Sequence, residues 1–411
     1  MRILAIETSC DETAIAIAEF TGPKAVPRIS VLSNIVSSQI AVHRKFGGVV
    51  PNLARREHEK NLTFILERAF KEARFSNFKF QITNHKQIPN SKIKKIEKIL
   101  EREPELFERF KKHILPLKKP GIDAIAVTYG PGLAPALWVG VNFARALAVL
   151  WDKPLIPVNH MAGHFYSPLL QVEPRISNFQ FSISKQIKNS KLQIQNVSFP
   201  TLGLLVSGGH TELVYAKKHG KWKIIGETRD DAAGEAFDKV ARILGLPYPG
   251  GPAISAIAEM KLKVKNEKLK ITLPRPMIAT NDFDFSFSGL KTAVLYLARD
   301  LGKKRTKKLR PSIAKEFQNA VVDVLVKKTI RAAKALKVKT VLLGGGVAAN
   351  HELRKRLETN LKKELPNIKY LIPDTRMAGD NALMIAIAAH FTGKKKAWNK
   401  VHADANLRLS R

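Results

Sequence analysis

Apolar residues open the chain in short runs. Ile3 to Ile6 forms one, the polar stretch Thr8-Ser9-Cys10-Asp11-Glu12-Thr13 interrupts it, and Ala14 to Ala18 forms a second. Short apolar runs bounded by turn-forming residues predict buried strands, so the segment predicts strand, turn and strand. The plan returns near the middle of the chain, where Leu202 to Val206 leads into Ser207-Gly208-Gly209-His210-Thr211 and then Leu213, Val214 and Tyr215. Two such hairpins suggest two related lobes facing one cleft, with coincidence between short patterns as the alternative.

Strand and helix signals alternate between and beyond the hairpins, which predicts an α/β protein. Ala124 to Thr128 reads as a strand, Tyr129-Gly130-Pro131-Gly132 as a loop, and a helix follows. Thr340 to Leu343, Gly344-Gly345-Gly346 and the helix start at His351 to Leu357 repeat that logic. Gly-rich loops between strand and helix are where such folds hold phosphates. Leu133 to Trp151 is long and apolar, but Pro135, Asn142 and Arg145 within it predict a buried core helix over a membrane span. Two segments break the pattern. Residues 76–120 carry a charged helical stretch from Lys92 to His113 interrupted by Pro104, and residues 176–199 are rich in Ser, Gln, Asn and Lys. Both are expected to be surface insertions.

Composition narrows the function classes. A hydrophobic fraction of 45% with 26% charged residues over 411 residues fits a globular protein of two or three domains. The start lacks an uncharged stretch of signal-peptide length, because Glu7, Asp11 and Glu12 follow so soon, and a cytoplasmic protein is expected. Cys10 is the only cysteine, so a metal would have to sit on histidine and carboxylate. Lys and Arg number 70 against 35 acidic residues, a formal charge of +35, which favours nucleic acid as a partner. Genome composition and solvated helix faces give the bland account of the same excess.

Three groups of residues suggest chemistry. His160 and His164 are four apart, so on a helix they share one face and can grip one cation, or else form a polar face. Ser207-Gly208-Gly209 can turn backbone N–H groups inward as an anion nest, or be a plain hairpin turn. Asp11 and Glu12 sit at the first hairpin tip, where a carboxylate can accept a proton, although turn solvation also explains them.

Several runs then converge. Ile6-Glu7-Thr8-Ser9-Cys10-Asp11-Glu12-Thr13, Gly47-Gly48-Val49-Val50-Pro51, Gly130-Pro131-Gly132 and Asn159-His160-Met161-Ala162-Gly163-His164 come first. Val206-Ser207-Gly208-Gly209-His210-Thr211, Asp230 to Lys239, and Pro249-Gly250-Gly251-Pro252 follow. Phe287-Ser288-Gly289-Leu290-Lys291, Gly344 to Asn350 and Gly379-Asp380-Asn381 complete the series. In these runs and their order the chain resembles the universal tRNA threonylcarbamoyladenosine transferases, formerly described as O-sialoglycoprotein endopeptidases. Leu205 stands where the archaeal and eukaryotic branch has tyrosine, so the resemblance is to the bacterial branch; Asn52 stands where that branch usually has glutamate.

The resemblance implies a duplicated actin-like, sugar-kinase type fold of class α/β, with two lobes around a nucleotide cleft. Residues 1–200 would form the N-terminal lobe, 201–385 the C-terminal lobe, and 386–411 a segment returning to the first. It implies Asp380 as third ligand beside His160 and His164, holding one divalent metal, iron(II) in preference to zinc. Leu205, Val206, Ser207, Gly208, Gly209, Asp238, Gly251 and Asn350 would bind the substrate, threonylcarbamoyl-AMP, and Asp11 and Glu12 would be catalytic. Implied partners are tRNA and the bacterial helper subunits, a paralogous actin-like subunit and a small ATPase, with no membrane. Asp380 also reads as a helix cap, Asp238 as a helix-surface carboxylate and Asn350 as a cap for the next helix. The rival functions are a metalloprotease, an ATP-dependent kinase or ATPase of the same fold, and a nonenzymatic RNA-binding scaffold. Against the protease, the position after the first histidine, where zinc peptidases carry the base, is Met161.

Overall fold

The computed structural model describes residues 1–75, 88–173, 191–260 and 271–409. Its first sheet contains β1 (Arg2–Glu7), β2 (Glu12–Thr21), β3 (Arg28–Ser38), β4 (Ala124–Gly130), β5 (Leu155–Asn159), β6 (Leu170–Glu173) and β7 (Lys191–Ile194), in the order β5-β4-β1-β2-β3-β7-β6. The second contains β8 (Thr201–Val206), β9 (Thr211–Lys218), β10 (Lys221–Glu227), β11 (Thr340–Gly344) and β12 (Lys369–Leu371), in the order β10-β9-β8-β11-β12. In each sheet an antiparallel meander is extended beside its first strand by two parallel strands: β4 and β5 beside β1, β11 and β12 beside β8. The two expected hairpins are therefore the cores of two sheets with the same topology.

The helices are α1 (Ile40–His43), α2 (Pro51–Glu72), α3 (Asn90–Ile99), α4 (Pro104–His113), α5 (Ala134–Trp151) and α6 (His160–Tyr166), followed by α7 (Ala233–Ile243), α8 (Gly250–Ala258), α9 (Ser288–Ala335), α10 (His351–Glu364) and α11 (Ala382–Thr392). Strand alternation sorts the apolar side chains into three cores. Leu4, Ile6, Ile15 and Ile17 face α2 to α5, whereas Ile3, Ala5, Ala14 and Ala16 face α6 and α11. On the second sheet Leu205, Val214 and Leu342 join that same inner core, while Leu202, Leu204, Val341 and Leu343 pack with α7 to α10. The layers thus run helix, sheet, helix, sheet, helix, and α6 and α11 fill the middle one. Helix α5 is apolar and long enough to cross a membrane, but it is a core helix packed on β4 and α2, most of its residues buried.

Three expectations need correction. Residues 90–115 are not a surface insertion: Ile96, Ile99, Leu100, Leu106, Phe110 and Ile114 are buried in the outer core of the first lobe. Phe110 meets Phe143 edge-on at 5.9 Å, and Asn142, the polar residue inside α5, donates to Glu103 Oε2 at 3.1 Å. Each helix is only ten residues long and heavily charged, so its narrow apolar stripe is hidden in composition. Second, part of 176–199 forms β7, which pairs with β3 on one side and with the edge strand β6 on the other, with Ile194 buried; residues 76–87 and 176–190 lie outside the described residues. Third, a division at residue 385 cuts α11, which packs on β1, β2, β5 and α6. That helix is apolar on all sides, so no amphipathic stripe could assign it to a lobe. Beyond it the chain runs along the first sheet, pairing Lys396 with Leu155 and Asp404 N–H with Tyr129 O.

Phe110→Ala should lower unfolding stability by about 3–5 kcal/mol, as expected for a truncated, fully buried phenylalanine. Equilibrium urea denaturation checks this; a change of only a few tenths would return α3 and α4 to the periphery. Excision of 90–115 should correspondingly give insoluble protein, against the folded remnant that a surface insertion would leave.

Candidate functional site

Asn159 ends β5 and caps α6, its Oδ1 accepting from Met161 N–H at 2.8 Å and Ala162 N–H at 3.2 Å. The cap sets the register, and His160 and His164 emerge together with rings 4.6 Å apart. Gly163 lets α6 press on α11, since a Cβ there would lie 2.9 Å from Ile385 Cδ1. Asn381, not Asp380, caps α11 by accepting from Met384 N–H at 3.1 Å. The Asp380 carboxylate is therefore free of the helix, and its Oδ1 lies 3.1 Å from His164 Nε2 and 3.5 Å from His160 Nε2.

His160 Nδ1 lies 3.1 Å from Glu7 Oε2 and 3.2 Å from Ser9 Oγ. Glu7 is fully buried and also accepts from Ser9 N–H at 2.5 Å and Thr128 Oγ1 at 2.6 Å. A proton on Nδ1 satisfies Glu7 and leaves the Nε2 lone pair facing Asp380, the arrangement in which a carboxylate orients a metal-binding imidazole. Burial opposes charge on His160, yet Asp380 and Glu7 outweigh it and push the imidazole up to about 9. Burial likewise opposes charge on Asp380, and the two histidines nonetheless hold it well below the usual carboxylate range. His164 is fully buried, and among the described residues neither ring nitrogen has a hydrogen-bond partner of acceptable geometry, despite the 3.1 Å approach to Asp380. An orphaned buried imidazole is costly, and a cation taken by its Nε2 would remove the cost. One ligand atom each from His160, His164 and Asp380 lies within 4.8 Å of the others, so the residues fit a cation.

The second hairpin tip stands beside this group. Ser207 closes the turn, its N–H donating to His210 O at 2.8 Å and its Oγ accepting from His210 N–H at 3.2 Å. The expected anion nest is thereby reduced to Gly208 and Gly209, which border open space. Burial, then the charges of His160 and His164, push His210 down to about 4. On its other side the tip borders a cavity of about 420 Å³ lined by Gly208, Asp238, Gly251, Ser255, Gln318 and Asn350 among others. Leu205 and Val206 bury their side chains in the cores, so only their backbone can serve a ligand. Asp238 Oδ1 accepts from Gly250 N–H at 2.6 Å, which leaves its second oxygen for the cavity. Asn350 caps α10 through Leu353 N–H (2.9 Å), while its amide donates to Ser255 Oγ (3.0 Å) and Gln318 Oε1 (2.8 Å). Its polar atoms are thus taken by the protein, and Gln318 and Ser255, mid-helix and outside any motif, are the polar groups that sequence reasoning missed. Glu7 was missed too, although a carboxylate ending an apolar strand signals a buried charge in need of partners.

The first tip brings Asp11 and Glu12 to the cleft. Glu12 is pushed well above the ordinary carboxylate range by burial and by Asp11, while Ser38 Oγ donates to its Oε1 at 3.2 Å. Across from it is Tyr248, whose phenol is raised by burial and then by Asp11 and Asp238. The lobes touch here: Arg44 Nε donates to Tyr248 O at 3.3 Å, and the Arg242 guanidinium to Gly47 O.

Two sheets sharing a five-strand topology, a cavity of nucleotide size among the loops and helices of the second lobe, and a two-histidine, one-carboxylate group on the inner wall define an enzyme of the actin-like class. The chain belongs to the TsaD family, tRNA N6-adenosine threonylcarbamoyltransferase, whose model matches residues 30–81, 108–179 and 182–387. A relative of that name from Bacillus anthracis is 43% identical over 397 residues, 96% of this chain and 92% of the relative. Those of Geobacillus thermodenitrificans (42% over 399 residues, 96% and 93%) and Geobacillus kaustophilus (43% over 387 residues, 94% and 90%) are as similar.

Asp380→Asn is a cleaner test of the cation site than His160→Ala. Removing His160 strands the buried Glu7 carboxylate and should cost about 3–5 kcal/mol of stability, whereas Asp380 is 19% exposed and asparagine is nearly isosteric. The variant should stay folded and lose most bound metal after dialysis, read by elemental analysis; full occupancy would remove Asp380 as a ligand.

Glu212, behind the tip, gives a pH test. Burial, with Glu227 adding to it, raises its carboxyl to about 7, and among the described residues Oε2 has no hydrogen-bond partner. A raised carboxyl contributes stability below its unfolded value of 4.5, lost as pH rises through 7. Glu212→Gln should therefore gain roughly 1–3 kcal/mol relative to the parent between pH 5 and pH 8 in urea denaturation. A pH-independent difference would show Glu212 to be solvated.

Proposed function

We propose that this protein transfers the threonylcarbamoyl group of threonylcarbamoyl-AMP to the exocyclic amine of the adenosine next to the anticodon, in tRNAs reading codons that begin with A. One observation carries the reading: a single hairpin tip lines the nucleotide-sized cavity through Gly208 and, through His210, lies within electrostatic reach of the pair of His160 and His164. Family membership and the names of the relatives support the substrate. The AMP half would lie in the cavity, with the free Asp238 oxygen and the Gln318 amide beside ribose and base and the Gly208 and Gly209 N–H groups toward the phosphate. The adenosine nitrogen attacks the carbamoyl carbon, the bond from that carbon to the phosphate oxygen breaks, and AMP leaves with the electron pair. Burial and the neighbouring Asp11 raise the Glu12 carboxyl well above the usual carboxylate range, and Asp11 is the proposed acceptor of the amine proton. A divalent cation on His160, His164 and Asp380 would supply positive charge beside the carbonyl and phosphate oxygens. The donor set suits iron(II), with zinc as the alternative. The peptidase reading loses its base, because Met161 is buried between the sheets.

For tRNA, a basic elbow on α9 is the favoured surface. The helix kinks at Gly302, and Lys303, Lys304, Arg305 and Lys307 beyond it are exposed, without a carboxylate partner among the described residues. Tyr296, 52% exposed, lies before the kink with Arg299 over its ring, and Arg310 rests on Gly245, in the turn leading to the cavity. A tRNA substrate supports a cytoplasmic location, and the proposed helpers are a paralogous actin-like subunit and a small ATPase.

Incubation of metal-loaded protein with tRNA, threonylcarbamoyl-AMP and those helpers should give threonylcarbamoyladenosine by nucleoside mass spectrometry. Unmodified adenosine under these conditions would overturn the reading. Affinity for tRNA should fall steeply with salt, and Lys303→Ala/Lys304→Ala/Lys307→Ala should lower the slope of log K against log salt by about 2. An unchanged slope would move tRNA away from the elbow.

A further inference from the structure

Behind the first tip runs a chain of buried side chains that no role above uses. Val50 N–H donates to His43 Nδ1 at 3.3 Å. His43 Nε2 is 3.1 Å from Gln39 Oε1, and Gln39 Nε2 is 3.3 Å from both Ala54 O and His58 Nδ1. Thr13 Oγ1 is 2.8 Å from His58 Nδ1, and His58 Nε2 is 3.0 Å from Cys10 O. His43, His58 and Thr13 are wholly inaccessible and Gln39 is 2% exposed.

The two ends of the chain fix its proton positions independently. From one end, an N–H can only donate, so Val50 makes His43 Nδ1 an acceptor. Nε2 of His43 then carries the proton and donates to Gln39 Oε1, which turns the amide nitrogen toward Ala54 O and His58. From the other end, the Cys10 carbonyl can only accept, so His58 Nε2 carries the proton and Nδ1 must accept. Both routes require the same tautomers and the same amide orientation, with the Thr13 hydroxyl and the more distant Gln39 amide sharing the one lone pair of His58 Nδ1. Burial, which pushes His58 down to about 4, is consistent with one proton on that ring.

The chain ends at the segment that carries Asp11 and Glu12. His58 holds Cys10 O, and Gln39 N–H holds Asp11 O at 2.8 Å, so two successive carbonyls of the tip are fixed from one side. From the other side Leu133 N–H holds Ser9 O at 2.8 Å. We propose that His58 is a positioning residue for the proton-transfer tip: by donating to Cys10 O, as the last member of the His43-Gln39-His58 chain, it sets the direction in which Asp11 and Glu12 face the cleft. This rests on the proposed role of that tip.

The test compares His58→Ala, His58→Gln, Thr13→Val and Asp11→Asn in steady-state transfer, with metal content and thermal midpoint measured on each. A glutamine amide reaches the place of Nε2 and can still donate to Cys10 O; alanine cannot. His58→Ala should lower kcat by roughly 10–100-fold through misplacement of the tip, with KM for tRNA and for threonylcarbamoyl-AMP within about twofold. Metal content should not change, and His58→Gln should recover most of kcat. Parental kcat in His58→Ala overturns the proposal, as does a His58→Gln protein equally stable to and no more active than His58→Ala. Should the alanine variant fail to fold, Thr13→Val decides: it removes one bond that orients His58 at nearly constant volume and should lower kcat severalfold, and an unaffected kcat sinks the idea. Full kcat in Asp11→Asn would instead show that the tip is not the proton acceptor, whatever His58 does.

Discussion

Everything at the site depends on how closely two helices are packed between two sheets. The middle layer, α6 and α11, must touch the inner faces of both, and that requires small residues at the contacts. β1 and β2 turn Ala5, Ala14, Ala16 and Ala18 toward it. Gly203 accommodates the ring of Phe165, where a Cβ would come within 2.9 Å, and Gly344 lies against His164 O, where a Cβ would come within 2.2 Å. Interiors packed at crystal density tolerate such contacts only with the backbone held still. His160, His164 and Asp380 inherit that rigidity, because each sits on or directly before a helix of this layer, fixed by an asparagine cap.

The two tips that the duplicated topology places at the head of each lobe differ in chemistry. In the first lobe the tip presents acids and is braced by buried imidazoles; in the second it presents glycines and closes through Ser207. In the proposed reaction side chains would act on one side of the cleft and backbone on the other. A proton acceptor must have a defined pKa and direction, while an anion is served by N–H groups that need no side chain.

The first residues of each lobe were legible because a buried strand followed by a polar turn leaves a strong local pattern, and the histidine pair was legible because helical spacing is local too. What was not legible was tertiary. Charges on α3 and α4 outnumber the few apolar residues that anchor them, so composition places Phe110 and Ile96 at a surface. Asp380 and Asn381 are adjacent, and only the fold shows that the asparagine takes the cap. The part played by Asn350 as a brace, with Gln318 and Ser255 at the cavity, depends on three helices meeting far apart in sequence. Glu7 was visible in the chain, but the imidazole it orients lies beyond the whole of the outer helical layer.

The contact between Gly344 and His164 O joins the two halves of the site in one further respect. α6 follows β5 of the first sheet and packs against both sheets, whereas β11, which ends at Gly344, belongs to the second. Sliding of the second sheet across the middle layer is therefore felt by the backbone of a residue in the cation group. Sites joined through one rigid contact share a coupling free energy, and the exchange is reciprocal. To the extent that a nucleotide settles the second lobe against α6 and tightens the hold on a cation, a bound cation tightens the hold on the nucleotide by the same factor.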